Sequence, residues 1–314
     1  MNNIRICSVL FSSLLLLVAC SAEDVTKPLN NQTKAISFQA GIKAAVSTRA
    51  DTTLLDGKFG ANSRIGVYIQ EDTYEEPTIN YEQPIEFKVN DAQGNMAPVS
   101  GVNPFYPTNG NGILISAVYP YKATQNEDYT FSVSTEQNDT YNYLQSDLMA
   151  VTNVISTIDD DHVDLEFEHL LSKITVILRS TAADIKLDNS NVYVTSTFVE
   201  GTFDPMSGVI GDATGNEWKP IRISTDGSKA CSGIIIPQTI NAGDQFITIN
   251  LAAGDEVYGI MPNDFTFEPG KAYTFRIDVK VDRVQSKVLL TDVQIADWVE
   301  AFSEPRTIDG QLKE

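Results

Sequence analysis

Few residue types in this chain could carry out catalysis or bind a metal ion. Its 314 residues include two histidines and three cysteines. His162 and His169 would lie roughly 23 Å apart on one extended strand, too far to share a metal ion unless the chain turns between them. Asp159–Asp161 lacks the spacing and the glycine of an EF-hand loop. His169 precedes two leucines, which favours a packed histidine.

Signature motifs of the common enzyme classes are missing from the sequence. It has no glycine-rich phosphate loop, no Gly-x-Ser-x-Gly turn and no His-Glu-x-x-His helix motif. Acidic residues number 42 against 22 basic ones, so no carboxylate pair stands out as a glycosidase dyad. The net charge of −20 excludes a nucleic-acid partner on electrostatic grounds. We therefore expect no enzymatic activity, no cofactor and no metal ion.

The N-terminus carries the most specific chemical signal. The apolar stretch Cys7–Val18 is too short to span a bilayer and is typical of a signal peptide. It leads into Leu17-Val-Ala-Cys20, which resembles the bacterial lipobox, whose cysteine is acylated and becomes the mature N-terminus. Residues 1–19 are thus predicted to be a lipoprotein signal peptide. Fatty-acyl chains such as palmitate on Cys20 would anchor the protein in the outer membrane.

Two alternatives remain open around this signal. Ala19 would also suit an ordinary secretory signal, with Cys20 present by chance. The acidic pair Glu23-Asp24 resembles the export signal of surface-exposed lipoproteins, but it could equally be a solvated tether. Cys231 is left without a partner after Cys7 and Cys20 are assigned, and its apolar neighbours predict a buried structural thiol.

Hydrophobic alternation with period two predicts an all-β protein. Turn-prone segments rich in Gly, Asn, Asp and Pro separate the candidate strands, and no long helical stripe follows the signal peptide. Many short strands with polar turns favour β-sandwiches. The candidate strands are Ile36–Val46, Ile65–Ile69, Ile85–Val89, Ile113–Val118, Tyr129–Val133, Val163–Glu168, Ile174–Leu178, Val192–Phe198, Ile234–Ile236, Phe246–Leu251, Ala272–Val281 and Leu289–Ile295.

The length suggests about two domains. The acidic, turn-prone segment Ser156–Asp161 is the expected boundary, to within about fifteen residues. This gives an N-terminal β-sandwich over residues 50–160 and a C-terminal one over 161–300, followed by a polar tail over 301–314.

The segment 20–49 is predicted to be a tether plus a removable strand. Apolar residues alternate from Ile36 to Val46, and the polar run Ser47–Thr53 that follows contains Arg49. A protease that cuts at an exposed arginine could release such a strand after folding. The loss would leave a groove with unpaired backbone groups, which demands a replacement strand.

Short motifs follow one another in a fixed order from Cys20 to about Val299. They are the lipobox, the arm ending in Thr48-Arg49-Ala50, Ile65-Gly-Val-Tyr68, Ala117-Val-Tyr-Pro-Tyr121, His169-Leu-Leu-Ser-Lys-Ile174, Gly270-Lys-Ala-Tyr-Thr-Phe275 and Ile295-Ala-Asp-Trp-Val299. Each motif alone is weak, but in this order they resemble the motifs of the fimbrillin family, the subunits of type V pili.

The resemblance implies two transthyretin-like β-sandwich domains in tandem, export as a lipoprotein, trimming by an Arg-specific protease and donor-strand exchange at the cell surface. Carried onto this chain, cleavage would follow Arg49 and make Ala50 the new N-terminus. Arg64 is the competing site, although it adjoins an apolar strand. The removable strand would present Ile36, Phe38, Ile42 and Val46.

The donor strand would lie in the segment Val288–Val299 and would insert head-to-tail into the next subunit. Alternatively, this segment is simply the last strand of its own domain. The sequence leaves open whether the subunit belongs to the stalk, the tip or the anchor of the fibre. The residues expected on the inserting face are Leu289, Thr291, Val293 and Ile295.

A monomeric surface lipoprotein that binds glycans or host ligands is the alternative function. Exposed aromatic side chains could form a platform for sugar rings, although aromatics in strands more often pack in a core. The candidates for such a platform are Tyr74, Tyr81, Phe105, Tyr106, Tyr119, Tyr141 and Tyr143.

Overall fold

The computed structural model describes residues 34–43, 58–75, 77–79, 81, 83–124, 130–180, 185–223, 230–279 and 287–297. The strands in chain order are β1 (Phe38–Ile42), β2 (Arg64–Glu71), β3 (Ile85–Val89), β4 (Met96–Pro98), β5 (Ile113–Tyr119), β6 (Thr130–Ser132), β7 (Met149–Ser156), β8 (Val163–His169), β9 (Ser172–Arg179), β10 (Asn191–Val194), β11 (Glu200–Asp204), β12 (Val209–Thr214), β13 (Ile221–Arg222), β14 (Ala230–Ile235), β15 (Thr239–Ile240), β16 (Gln245–Asn250), β17 (Glu256–Ile260), β18 (Phe265–Thr266), β19 (Lys271–Asp278) and β20 (Lys287–Asp297).

Helical structure is slight in this part of the chain. It consists of α1 (Thr140–Ser146) and a short 3-10 turn, Tyr121–Thr124. Asp139 caps α1, because its side chain accepts a hydrogen bond from the backbone N–H of Asn142 at 2.9 Å. The predicted all-β class is confirmed.

The first large sheet has seven strands in the order β1-β8-β7-β5-β2-β3-β4. Its strands follow the predicted alternation. In β8, Val163, Leu165 and Phe167 are buried while the acidic residues between them face solvent. All neighbouring pairs are antiparallel except β1 and β8, which run in the same direction.

The second large sheet has eight strands in the order β13-β10-β16-β17-β20-β19-β9-β14. The strand β20 joins its two parts, because it stands between β17 and β19. Two small sheets complete the described strands, with orders β12-β11-β6 and β15-β18.

Each large sheet carries its own hydrophobic core. The first core includes Ile65, Val67, Phe87, Ile115 and Phe167. The second core is assembled from Phe131, Ile174, Val176, Phe203, Phe246 and Phe275, among others. The division of the chain into two tandem domains stays a prediction.

The acidic segment of the expected boundary lies inside the first sheet, and the second large sheet begins eleven residues after Asp161. The acidic turn Asp159–Asp161 joins β7 to β8, and these strands pair within the first sheet. Residues 163–169 therefore belong with the first core, and the second sheet begins with β9. In the other direction, Phe131 and Val133 of the N-terminal half pack in the second core.

Within the described residues, no helix is both long and apolar enough to cross a membrane.

Candidate functional site: the slot filled by the first strand

Residues 36–43 of the predicted removable strand are described, and Phe38–Ile42 of them form β1. Its backbone pairs with β8 in parallel, from Phe38 opposite Val163 to Ile42 opposite Phe167. Just before β1, the carbonyl of Ser37 accepts a hydrogen bond from the N–H of Val163 at 2.9 Å. One side of the strand is thus held by a regular ladder.

The other side of β1 is held as well. The N–H of Ile36 donates to the carbonyl of Pro104, and the N–H of Ala40 donates to the carbonyl of Gly94, both at 2.9 Å. Antiparallel bridges join Ala35 to Phe105 and Gln39 to Asn95.

The first sheet therefore curls until its two ends meet at β1. We call the space that β1 fills the slot. Its walls are β8 on one side and the segments Gly94–Asn95 and Pro104–Tyr106 on the other. Emptying the slot would leave unpaired backbone groups on both walls.

Alternate side chains of β1 and of Ile36, two residues before it, point into the first core. Ile36, Phe38, Ala40 and Ile42 are 2%, 2%, 6% and 3% exposed, respectively. The ring of Phe38 meets that of Phe87 edge-on, with centroids 5.1 Å apart. Burying each large side chain of this kind is worth about 1.5–3 kcal/mol, so the slot binds mainly through apolar contact.

Gly94 brings its wall close to the strand. Its φ of +87° is a left-handed conformation that favours glycine. A Cβ atom at this position would collide with the carbonyl oxygen of Ala40. The slot can therefore seat a strand here only because residue 94 has no side chain.

Polar contacts hold the N-terminal end of the slot, next to Lys34. The hydroxyl of Tyr106 lies 2.7 Å from that of Ser156, which donates to Asp160 Oδ2 at 2.8 Å. Lys34 Nζ donates to the carbonyl of Ile158 at 2.9 Å. Burial raises the pKa of Tyr106 above its ordinary value, so its hydroxyl stays protonated and can act as a donor.

A buried carboxylate, Glu71 at the end of β2, holds together the loops at Thr78–Ile79 and Asn109–Asn111. Its Oε1 accepts hydrogen bonds from Asn109 Nδ2 and Asn111 Nδ2, both at 2.6 Å. Its Oε2 accepts from the N–H and hydroxyl of Thr78 and from the N–H of Ile79. Burial alone would raise the pKa of Glu71, but these bonds outweigh it and lower the pKa to about 2.

The predicted processing residues lie outside the described residues. Residues 44–57, between Lys43 just after β1 and Lys58, are not described. Phe59 is 5% exposed. The ring of Phe59 packs on Tyr119 and Phe167 at centroid distances of 5.3 and 5.1 Å. The chain that follows the predicted cut is thus fastened in the first core independently of β1. The residues concerned are Cys20, Val46, Arg49 and Ala50.

The competing arginine, Arg64, lies in regular structure. It begins β2, opposite Lys88 of β3. Its Nη1 makes an ion pair with Glu86 Oε1 at 2.8 Å. A protease needs an extended, unpaired backbone, which Arg64 does not offer.

Residues 288–297 of the segment predicted as a donor strand belong to β20, and Trp298 and Val299 lie outside the described residues. Residues 289–297 run antiparallel to β19, and Lys287-Val288 pair in parallel with β17. In this structure the segment is therefore the last strand of its own sheet, which was the open alternative.

The backbone register of β20 contains an irregularity next to the predicted donor residues. Val293 lies opposite Phe275, but the next partner, Ile277, lies opposite Leu290. This shift leaves Thr291 without an opposite residue, as at a β-bulge. The predicted set therefore does not follow one uninterrupted alternation. The set is Leu289, Thr291, Val293 and Ile295.

The histidines and the cysteine considered for catalysis or metal binding lie in the protein core or beside a single carboxylate. His169 is buried, with Nδ1 2.9 Å from Asp147 Oδ1, and Cys231 is buried in the second core. The exposed His162 lies 3.1 Å from Asp164 Oδ1. Among the described residues, no three His, Cys, Asp or Glu side chains are grouped so that they could hold a metal ion.

The seven aromatic residues considered for a sugar platform do not share one surface. Tyr106 and Tyr119 are buried in the first core. Tyr74 and Tyr141 are exposed, and Phe105 is partly exposed beside the slot. A single platform built from all seven is therefore excluded.

Gly94 and Glu71 were not among the predicted site residues. The run Asp91-Ala-Gln-Gly94-Asn95 does signal a turn. The strand that passes this turn is 54 residues away, as the contact from Gln39 to Gln93 shows. Glu71 resembled any other acidic residue, because its partners come from two separate loops.

Comparison with known proteins agrees with the all-β fold. A solved structure of a proposed cell adhesion protein from Bacteroides ovatus has a TM-score of 0.66 and 21% identity, covering 86% of this chain and 100% of the other. A proposed cell adhesion protein from Bacteroides uniformis has a TM-score of 0.62 and 18% identity, covering 85% and 99%. At such identities the likeness supports the fold alone.

No curated protein sequence matches the chain. The sequence model described as fimbrillin-like matches residues 48–298. Because that match spans most of the chain, the protein belongs to the fimbrillin-like family.

Proposed function

We propose that the protein is a structural or adhesive subunit of a type V pilus. Membership in the fimbrillin-like family supports a pilus subunit or adhesin at the cell surface. In the proposed pathway the chain is exported as a lipoprotein through Cys20, anchored in the outer membrane and cut after Arg49 by an Arg-specific protease. A strand from another subunit then replaces β1.

The way β1 is bound in the slot is the observation that carries this proposal. The strand is bound on both edges and buries four alternate side chains, yet it lies at the N-terminal end of the described chain. A cut at Arg49 would leave β1 attached through non-covalent contacts alone. The chain that begins at Ala50 would still be anchored in the first core by the buried side chain of Phe59.

An emptied slot creates the demand for a partner. Both walls would expose backbone donors and acceptors, and the apolar floor would face water. An incoming strand restores both, with main-chain hydrogen bonds for affinity and alternate side chains for fit. This contact is heterologous, so it joins subunits head-to-tail.

Donation by this chain is less favoured than acceptance. Withdrawing β20 would separate β17 from β19 and divide the second sheet into two parts. By contrast, removing β1 opens a seam at the ends of the first sheet. We therefore propose acceptance of a strand as the primary role and keep donation by residues 288–299 as a separate hypothesis.

The test is the processing of the protein on bacteria that export it and build such fibres. We expect surface-purified fibres to contain this subunit starting at Ala50, as read by N-terminal sequencing and intact mass. The Arg49→Ala variant should retain residues 20–49 and be lost from the fibres. Arg64→Lys serves as the matched control, because it keeps a positive charge beside Glu86 and removes the competing arginine.

Two results would contradict the proposal. One is normal incorporation of Arg49→Ala with its N-terminal segment still attached. The other is a fibre-bound subunit that begins after residue 64 and is lost in the Arg64→Lys variant.

A further inference from the structure

We infer that the slot selects its occupant by side-chain size and chain direction, and that the occupant comes from a different kind of subunit rather than from a second copy of this chain. The inference rests on the proposed function and names the partner of that site. The expected occupant is an extended segment parallel to β8. At four successive alternate positions it carries large, large, small and large apolar residues.

Chain direction is set by the two walls together. The wall formed by β8 accepts β1 in parallel register over five residue pairs. The opposite wall contributes carbonyls at Pro104 and Gly94, which receive the N–H groups of Ile36 and Ala40. Residues 36 and 40 lie on one alternation, so a strand inserted in reverse or shifted by one residue would lose this match.

The third position must be small. Ala40 is 6% exposed within the first core, and its backbone carbonyl lies close against Gly94. Gly94 thus fixes how closely the backbone approaches the wall, and the core around Ala40 limits the size of the side chain. A bulky residue at this position would need space inside a packed core. We call this position the small subsite.

The other three positions accept large side chains. Ile36, Phe38 and Ile42 are nearly fully buried in the first core. The second position is the largest, because Phe38 packs edge-on against Phe87. A polar or charged residue at any of the three would lose its hydration without gaining a partner.

The C-terminal segment of this chain does not meet these requirements. With Thr291 in the small subsite, Leu289 and Val293 take the second and fourth positions, but Lys287 falls in the first, where Ile36 is 2% exposed. With Ala296 there, Asp292 and Gln294 take the first two positions. Every other register of residues 287–297 places Leu, Val, Ile, Asp, Gln or Lys in the small subsite.

A subunit whose slot accepts a strand, and whose β20 stays between β17 and β19, would not donate a strand to a second copy of itself. The purified, trimmed chain should therefore stay monomeric. It would join a fibre at an end, or wherever a different subunit supplies the matching segment.

Peptide exchange on the cut protein tests the selection. The full mature chain is cut at Arg49, and labelled peptides compete with the bound N-terminal fragment, followed by fluorescence anisotropy. Four probes are used: residues 34–43, the same peptide with Ala40→Leu, the same peptide with Ile42→Leu, and residues 287–297. The Ile42→Leu peptide is the matched control, because it adds a leucine at a position that already holds a large side chain.

We expect the 34–43 peptide and its Ile42→Leu form to exchange with similar affinity. The Ala40→Leu peptide and the 287–297 peptide should bind roughly tenfold more weakly or worse. Equal binding of the Ala40→Leu peptide would overturn selection by size. Equal binding of 287–297, or fibres of the purified trimmed chain alone, would overturn the assignment to a different subunit.

The uncut chain gives an independent measurement, because β1 is then the built-in occupant. Gly94→Ala is compared with Gly110→Ala, since their φ angles are +87° and +86° but nothing lies within 4 Å of a Cβ at residue 110. Both variants strain the backbone, and only Gly94→Ala meets the strand. We expect its melting temperature to fall roughly 4 °C or more below that of Gly110→Ala. Equal losses would overturn the role of Gly94.

These measurements separate this inference from the proposed function. If no peptide exchanges, including 34–43, strand replacement fails, while the Gly94 comparison still decides whether the wall requires a close approach of the strand's backbone. If Arg49 cleavage is required for incorporation but the Ala40→Leu peptide binds normally, the proposed function stands and this inference fails.

Discussion

The first and last described strands differ in how their sheets depend on them. The strand β1 occupies a seam, where the two ends of the first sheet meet. The strand β20 stands inside the second sheet, between β17 and β19. Removing β1 would open a closed sheet into a still continuous one of six strands, whereas removing β20 would divide a sheet in two.

The two strands also differ in their covalent attachment. The segment that follows β1 contains the predicted cut at Arg49, and the chain re-enters the first core at Phe59. Such a strand can be exchanged without unfolding the body. A strand with neighbours on both sides in the interior of a sheet can leave only if those neighbours lose their pairing.

The largest predicted effect comes from deleting residues 280–314, which removes β20. The second core should lose cooperative unfolding, a loss comparable to the whole stability of a domain, about 5–15 kcal/mol. Calorimetry of the shortened chain measures this. The matched comparison is the protein cut at Arg49 and freed of residues 20–49, which should keep its second-core transition. A cooperative second core in the shortened chain would contradict an integral β20 and favour its donation.

The next effect is Phe38→Ala in the uncut chain. It removes the largest side chain from the slot and its edge-on contact with Phe87, at an expected cost of about 3–5 kcal/mol. Chemical denaturation measures the change, and Gln39→Ala on the opposite face of the same strand is the control. If both variants lose the same stability, β1 is held by its backbone and not by burial.

The sequence predicted β1 better than it predicted the slot. Alternation from Ile36 onward is local, so the strand and its buried side were readable without a structure. The partners of that strand are far along the chain. Pairing with β8 and the close approach of Gly94 depend on tertiary register, to which no local pattern points.

Several elements were not predicted from local patterns. The strand β7 was not predicted, because its buried residues follow no period of two. The short helix α1 was missed because it is polar and has no apolar stripe. The acidic run Asp159–Asp161 signalled the turn between β7 and β8, but its composition does not distinguish a hairpin turn from a domain linker.

A smaller effect is expected for Glu71→Gln, which tests how much this carboxylate stabilises the first core through the two loops that it binds. The amide cannot accept all the hydrogen bonds that the carboxylate receives from the loops at Thr78 and Asn109. We expect a loss of about 1–3 kcal/mol at pH 7. The exposed Glu75→Gln in the same loop is the control. No difference between the two variants would mean that the hydrogen bonds to Glu71 do not contribute to stability.

The pH dependence of this difference follows from the pKa of Glu71. That pKa falls from 4.5 to about 2 on folding, so the contribution of the carboxylate is complete above pH 4.5. It should shrink progressively as the pH falls from that value through about 2. Denaturation of the wild type and Glu71→Gln at pH 7, 4 and 2.5 measures the trend. A constant difference across this range would show that the ionised carboxylate is not the stabilising group.

The smallest effect is expected at the C-terminal end of β1, where Lys43 Nζ lies 2.6 Å from Glu168 Oε1 on the surface. The hydrogen bond and charge of Glu168 raise the pKa of Lys43, so the lysine stays charged at neutral pH. Exposed ion pairs of this kind contribute little because water and salt screen them, and Lys43→Ala should leave the melting temperature unchanged. The measurement is repeated at low and high salt. If Lys43→Ala approaches the loss of Phe38→Ala, and only at low salt, charge rather than apolar burial holds the strand, and release from the slot would depend on ionic strength.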